Sequence, residues 1–304
     1  MLATLNDVLP QAQKSRYAVP AFDVCEDVYI RTLLDTAERE RSPIIIMAID
    51  LDLAGKGMAY IASTVRGVAD MYDIPVVLHL DHARDLDLVK AAIDHGFTSV
   101  MFDASVMPFE KNAEMTRRVV EMAHPHGITV EAELGFVGGM SLDDKEHVES
   151  VLTDPQEVVR FVAMTEVDAL AVSIGTAHGV YRSLPTLNIQ RLKEIVAASN
   201  VPLVLHGGSG TPTDQVQEAI RNGITKINIF ADMRQAIFAG LKESAKAARI
   251  DPLPEEMYGP MKKSLSAAAA GKMRECFSTN RVPATPDFQP RPCEVKKPGG
   301  KSAG

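Results

Sequence analysis

Eight short runs of β-branched and aliphatic residues recur along this chain, each followed by a longer segment of helical pattern. The runs are YAVPAFDV (17–24), PIIIMAI (43–49), PVVLHLD (75–81), TSVMFD (98–103), ITVEAEL (128–134), DALAVSI (168–174), PLVLHG (202–207) and KINIF (226–230). Each is apolar at nearly every position rather than at alternate ones, which marks strands covered on both faces. The segments between them carry helix punctuation. Thr211-Pro212-Thr213-Asp214 offers an N-cap, a proline at the first helical position and an acid three residues after the cap; Gly223 supplies the stop. Asp154-Pro155 opens another helix, and Leu88, Val89, Ala92 and Ile93 mark a third, closed by Gly96.

Strands alternating with helices build either a closed barrel or an open doubly wound sheet. A count of eight favours a single (β/α)8 barrel, and so does the crowding of polar residues at the C-terminal strand ends, where barrel active sites lie. The expected domain runs over 1–280, with C-terminal helices. Residues 281–304 lose periodicity, fill with Pro, Lys and Gly, and are expected to form a flexible tail.

Composition narrows the function. The 304 residues carry a net charge of −8 with no long basic run before the tail, which argues against nucleic acid or an anionic membrane as partner. No apolar run approaches the ~20 residues that cross a bilayer. Cys25, Cys276 and Cys293 are few and widely spaced, as expected of reduced thiols in a cytoplasmic protein.

Three histidines stand at strand ends: His82 in HLDHA, His178 in IGTAHG and His206 in LVLHGGSG. One buried histidine is usually structural. Three from strands that converge at one rim point to a metal, since three imidazoles leave a tetrahedral zinc one open position for chemistry. His95, His124 and His126 fall at helix ends near the opposite rim, and His147 in a polar loop. His79 shares a face with Asp81 and is expected to support the site rather than ligate. Asp81 reads as a base, a cap or a partner for a histidine. Glu131 and Glu133 share one strand face and need partners if buried; Glu133 is a candidate support or alternate ligand. Gly207, Gly208, Ser209 and Gly210 suit an anion, because glycines let backbone N–H groups approach it.

The blocks HLDH, FTSVMFDAS, VEAELGFVGG, TDPQEVVRFV, DALAVSIGTAHGVY, PLVLHGGSG and GITKINI, from about residue 15 to 280, resemble the class II fructose- and tagatose-bisphosphate aldolases in order and spacing. The resemblance implies that His82, His178 and His206 hold one catalytic zinc and that Asp81 moves a proton on the hydroxyl or carbonyl of the carbon being joined. It assigns the dihydroxyacetone phosphate half to Gly179, Gly207, Gly208, Ser209 and the segment Asn228, Ile229, Phe230 and Ala231. It also implies a phosphorylated ketose substrate cleaved through a zinc-stabilised enediolate, a homodimer or homotetramer, and a monovalent cation near the phosphate.

Four positions depart from the family pattern. Asp23 stands where Asn is usual, and Ile49 where a serine follows the second strand. Met140-Ser141-Leu142 replaces a loop segment that normally carries a glutamate, leaving Asp143, Asp144 and Glu146 as candidates for proton exchange. Ala231, after the bulky Phe230, replaces a threonine. Ile49 cannot donate a hydrogen bond to a second phosphate and a carboxylate at Asp23 repels one. The expected substrate is therefore a ketose 1-phosphate whose aldehyde half lacks a terminal phosphate. Alternatives stay open: a Schiff-base aldolase using Lys226, a non-catalytic sugar-phosphate-binding protein, and a metal-dependent epimerase or isomerase on the same barrel.

Overall fold

The alternation closes into a barrel. In the computed structural model, which describes residues 1–140, 147–148, 150–179, 184–246, 250–286 and 288, the strands in chain order are β1 (Leu2–Ala3), β2 (Val19–Asp23), β3 (Ile44–Ala48), β4 (Val76–Ala83), β5 (Ser99–Phe102), β6 (Thr129–Leu134), β7 (Gly139–Met140), β8 (His147–Val148), β9 (Ala169–Val172), β10 (Leu203–Leu205) and β11 (Ile224–Ile229). Strands β2, β3, β4, β5, β6, β9, β10 and β11 pair in parallel, each with the next, and β11 returns to β2. These are the eight runs read from the sequence, and the architecture is a (β/α)8 barrel. The short β1 adds to the outside of β4, an edge the sequence did not announce. Strands β7 and β8 form a small antiparallel pair in the loop after β6.

The helices are α1 (Leu5–Ser15), α2 (Asp27–Glu40), α3 (Asp50–Leu53), α4 (Gly57–Val68), α5 (Leu86–Asp94), α6 (Phe109–Ala123), α7 (Pro155–Thr165), α8 (Ile189–Ala198), α9 (Thr213–Arg221), α10 (Ala231–Ala245) and α11 (Pro254–Glu275). Helix α7 starts as its sequence dictates, with the Asp154 carboxylate accepting from the Gln156 N–H and Pro155 at the first position. Helix α9 does not start at the expected cap. It begins at Thr213, after Pro212, and the Thr211 hydroxyl donates to the Gly207 carbonyl instead, 3.0 Å away. A cap residue was read where the chain spends its hydroxyl on the glycine turn.

Period-two alternation sends each strand's residues to two cores. Phe22, Ile44, Ile46, Leu78 and Leu80 join the layer between barrel and helices. Val19, Ala21, Ile45, Met47, Val77, Ala169, Ala171 and Val204 line the barrel interior, whose N-terminal end is plugged by Leu5, Val8, Leu9 and Ala12 of α1. Burying each of those leucines contributes roughly 1.5–3 kcal/mol. Towards the other end the inward positions turn polar: His79 and Asp81 after Val77 along β4; Thr129, Glu131 and Glu133 along β6; Lys226 and Asn228 along β11. The apolar plug thus leaves one end of the barrel for chemistry.

The chain does not leave the barrel at 280. Arg41 donates to the Val282 carbonyl at 3.0 Å, and Asp73 accepts from the Thr285 N–H at 2.9 Å. The start of the expected tail is therefore packed on the body. No described helix is long and apolar enough to cross a membrane. Cys25 is exposed and Cys276 buried, both as free thiols; Cys293 lies outside the described residues.

Candidate active site

The three strand-end histidines meet. The ring of His82 lies 4.9 Å from that of His178 and 4.6 Å from that of His206, centroid to centroid. One ligand atom from each falls within 4.8 Å of the other two. His82 and Asp81 are sequence neighbours, and in a regular strand they would face opposite ways. His82 instead takes a left-handed backbone (φ 48°) at a register shift between Leu80 and Ala83. That single irregular residue turns both side chains into the site; Asn and His are among the few residues that adopt it at modest cost.

Two of the three rings are aimed by carboxylate partners. His82 Nδ1 lies 3.1 Å from the Asp103 carboxylate, which also accepts from Ser105 Oγ and Arg84. His206 Nε2 lies 3.0 Å from Glu131, and its Nδ1 is 3.3 Å from Glu133 Oε2. His178 is positioned through its backbone: its N–H donates to the Gly138 carbonyl at 2.7 Å, and Gly139 bridges to it. Gly139 has φ +139°, and a Cβ there would sit 2.4 Å from the His178 carbonyl oxygen, so only glycine fits. The loop after β6 is thereby tied to a metal-site residue.

With His82 and His206 engaged on one side, the nitrogens left over tell what the site takes. His178 Nε2 is buried without a hydrogen-bond partner in the protein, and His206 Nδ1 and Glu133 Oε2, 3.3 Å apart, are buried with only each other to meet. Such orphaned atoms are costly unless something fills the space between them. Two imidazole nitrogens and a carboxylate oxygen, beside the free edge of His82, form a donor set suited to a divalent cation. Burial and the charges of His82 and His206 push His178 down to about 3, so its ring is neutral and able to ligate. Burial also opposes a charge on His206, but its hydrogen bonds to Glu131 and Glu133 outweigh that and push it up to about 10. The two glutamates therefore hold a positive charge at His206 whether it is a proton or a cation.

Asp81 sits buried beside this cluster. Burial would raise its carboxyl, but the His82 charge, the hydrogen bond with His79 and the charge of Lys226 hold it well below the usual carboxylate range. The Asn228 amide donates to both Asp81 oxygens, at 3.0 and 3.2 Å. Asn228, expected to open a phosphate segment, is in fact the partner of Asp81. Ile229 faces the outer core, Ala231 begins α10, and Phe230 lies under the Arg234 guanidinium at 4.2 Å. Only their backbone could meet a ligand.

Gly207 and Gly208 form the turn after His206. Gly207 has φ +67°, and a Cβ there would stand 2.4 Å from the Ala177 carbonyl. Ser209 does not stand clear as a simple donor. Its Oγ accepts from the Phe230 and Asp232 N–H groups at 3.1 and 3.2 Å, knitting the turn to the start of α10 and leaving its own proton to donate. Gly179 follows His178 at φ 92°. Asp143, Asp144 and Glu146 lie outside the described residues.

Lys226 is fully buried and bound to Glu131, Nζ to Oε2 at 2.7 Å, with His79 Nε2 at 3.5 Å. A lysine locked to a carboxylate in the barrel wall is a counter-ion to the site rather than a free nucleophile. Sequence reasoning missed Asp103, although its place at the end of β5, opposite His82, carried the signal. It also missed Asp52, whose partner Asp23 lies too far away in sequence for any spacing rule.

The family model described as fructose-bisphosphate aldolase class-II matches residues 3–281. A fructose-bisphosphate aldolase of Geobacillus stearothermophilus is 38% identical over 285 residues, covering 92% of this chain and 99% of its own. One from Staphylococcus aureus (strain Mu50) is 35% identical with the same coverage of both chains. Among solved structures, the YdjI aldolase of Escherichia coli K12 superposes with a TM-score of 0.84 at 33% identity, over 93% of this chain and all of that one. Because the match runs through every strand of the barrel and the loops that carry the rim residues, the chain belongs to the class II fructose-bisphosphate aldolase family.

Proposed function

We propose that this protein reversibly cleaves a ketose 1-phosphate to dihydroxyacetone phosphate and an aldehyde, using one divalent cation, zinc by the donor set, held by His82, His178 and His206. The observation that carries this reading is the buried, unpartnered Nε2 of His178 and the buried Nδ1 of His206, which meets only Glu133, beside an ionised Asp81. A cation bound there supplies Lewis-acid stabilisation of the negative charge that cleavage leaves on the ketone half.

The chain's own residues do the rest. Asp81 takes the proton from the hydroxyl whose carbon becomes the aldehyde and returns it in synthesis; it is ionised and buried beside the histidine cluster, where it can accept that proton. Asn228 fixes both oxygens of that carboxylate. Asp103, Glu131 and Glu133 orient the ligand imidazoles. The Ser209 hydroxyl and the turn of Gly207 and Gly208, with Gly179, bind the phosphate of the dihydroxyacetone phosphate half, a monovalent cation assisting there. Loss of a threonine hydroxyl at Ala231 weakens that site by about 1.5–3 kcal/mol without abolishing it. Asp143, Asp144 or Glu146 exchanges the proton of the ketone half. The protein works as a homodimer or homotetramer.

A second reading, cleavage of a bisphosphate, draws on the relatives that are named fructose-bisphosphate aldolases. Asp23 and Ile49 at the rim weigh against a second phosphate. The test is a panel of ketose mono- and bisphosphates, scored for released dihydroxyacetone phosphate with and without chelator. Chelator-sensitive release, with the highest kcat/KM on a monophosphate, supports the first reading. A bisphosphate above every monophosphate makes the second one correct, and borohydride-trapped turnover that ignores chelator removes both.

A further inference from the structure

Three neighbouring strands bring Asp23, Ile49 and Asp81 to one arc of the rim. Val19 and Ala21 of β2 point inward, so Asp23 does too; Ile45 and Met47 set the same face for Ile49 beyond β3. Asp23 is only 8% exposed and its Oδ1 has no partner in the protein. Asp52, in α3 just beyond β3, turns its carboxyl back against it, and the two share a hydrogen bond. Asp52 Oδ2 is likewise buried and unpartnered. Independently, on the strand paired to β2 from the other side, Asn228 is 7% exposed with its Oδ1 unpartnered while its amide is committed to Asp81.

The carboxyl pair shares one proton, and the atoms it leaves over, together with the Asn228 carbonyl, are acceptors buried along one arc of the rim. A phosphate terminus offers acceptors and negative charge, so it answers none of them and meets the carboxyl pair as a like charge. The hydroxyls of a sugar chain answer all of them. Resting on the aldolase reading above, we propose that Asp23, Asp52 and the Asn228 carbonyl form the subsite for the aldehyde half, and that it selects an uncharged, polyhydroxylated aldehyde. Discrimination by such a site is steep when hydroxyls are removed, because each deletion strands a buried acceptor.

The test is aldol addition of dihydroxyacetone phosphate by the full-length, zinc-loaded protein to glyceraldehyde and threose, to propanal and lactaldehyde, and to glyceraldehyde 3-phosphate. In the native protein, kcat/KM should fall about tenfold or more from the fully hydroxylated to the deoxy aldehydes, with the phosphorylated one also disfavoured. Asp23→Asn and Asp52→Asn, which keep shape and add a donor, should each compress the hydroxyl-to-deoxy ratio and raise the phosphorylated aldehyde relative to glyceraldehyde. KM for dihydroxyacetone phosphate should stay put, a split that a merely structural role would not give. Unchanged ratios in both variants, or a native preference for deoxy aldehydes, would overturn the assignment. No addition to any aldehyde would overturn the aldolase reading and this subsite together.

Discussion

Midway up the barrel the interior carries ions that answer one another, whereas at the rim it carries polar atoms that do not. Lys226 and Glu131 are both fully buried and meet at 2.7 Å, with His79 against the lysine and His206 against the glutamate. Every charge there has a counter-charge. At the rim, His178 Nε2 and Asn228 Oδ1 are buried without partners, His206 Nδ1 meets only Glu133 Oε2, and Asp23 meets only another carboxyl, that of Asp52. Folding alone would not keep such atoms, since each is a cost. On the function proposed above, the middle layer holds the rim in place, and the rim is completed by a cation and a substrate. Local rules of stability are obeyed in one and broken in the other, as expected of a functional site.

The two layers should respond oppositely to mutation. The sharpest contrast is at Asp81, which serves the reaction rather than the fold. Asp81→Asn keeps the shape and cannot accept a proton, so turnover should fall ~10²–10⁴-fold with metal content and unfolding midpoint little changed. A near-normal kcat would move Asp81 into the structural layer.

In the middle layer the loss is one of stability. Lys226→Met leaves Glu131 charged in the barrel with only His206 against it, which should cost about 3–5 kcal/mol in chemical denaturation. Adding Glu131→Gln should recover most of that loss. A single-variant cost under ~1 kcal/mol would mean that the pair does not support the site.

At the rim the sign reverses. Burial, Asp52 and Asp81 raise the Asp23 carboxyl well above its ordinary value of 3.8, only partly offset by Arg234. A folded-state value above the unfolded one means that its favourable contribution is complete below pH ~3.9 and is lost as pH rises through the folded value. Asp23→Asn does not titrate, so it should be more stable than the native protein by about 1–3 kcal/mol at pH 8, with the gain fading as pH falls to 4. Glu131 runs the other way. Burial opposes its charge, but Lys226 and His206 hold it down to about 2, so its contribution is present above pH ~4.5 and is lost in acid. Denaturation of both variants across pH separates the layers; a gain at Asp23→Asn that grows in acid would contradict the comparison.

The smallest effect is in metal affinity. A cation at His206 must displace the proton its glutamates hold, so binding releases a proton and apparent affinity drops about tenfold for each pH unit below about 10. Calorimetry in buffers of different ionisation enthalpy reads the released proton directly.

What the sequence disclosed followed the division between regular and irregular backbone. All eight strands were legible, because burial on both faces leaves continuous apolar runs that no helix or loop imitates. The convergence of three histidines was legible as well, since His82, His178 and His206 each stand at or just beyond the end of such a run. The partnerships around it were not. Asp103 reaches His82 across two strands, Asp52 reaches Asp23 across a strand and a turn, and Asn228 turns to Asp81 rather than to a phosphate. Such pairings are set by barrel closure, which no local pattern encodes. The left-handed turn at His82 reverses the period-two rule at the one place where the site depends on it. Arg41 and Asp73 hold residues 282–285 although their composition reads as tail.

The claim that the rim awaits a cation on three imidazoles is tested most directly by metal content. After zinc loading and gel filtration, elemental analysis should find one equivalent in the native protein and in Asp81→Asn. It should find close to none in His82→Ala, His178→Ala and His206→Ala, each folded by circular dichroism. Zinc retained at one equivalent in any two of the histidine variants, or full aldolase turnover by the metal-free native protein, would contradict the assignment.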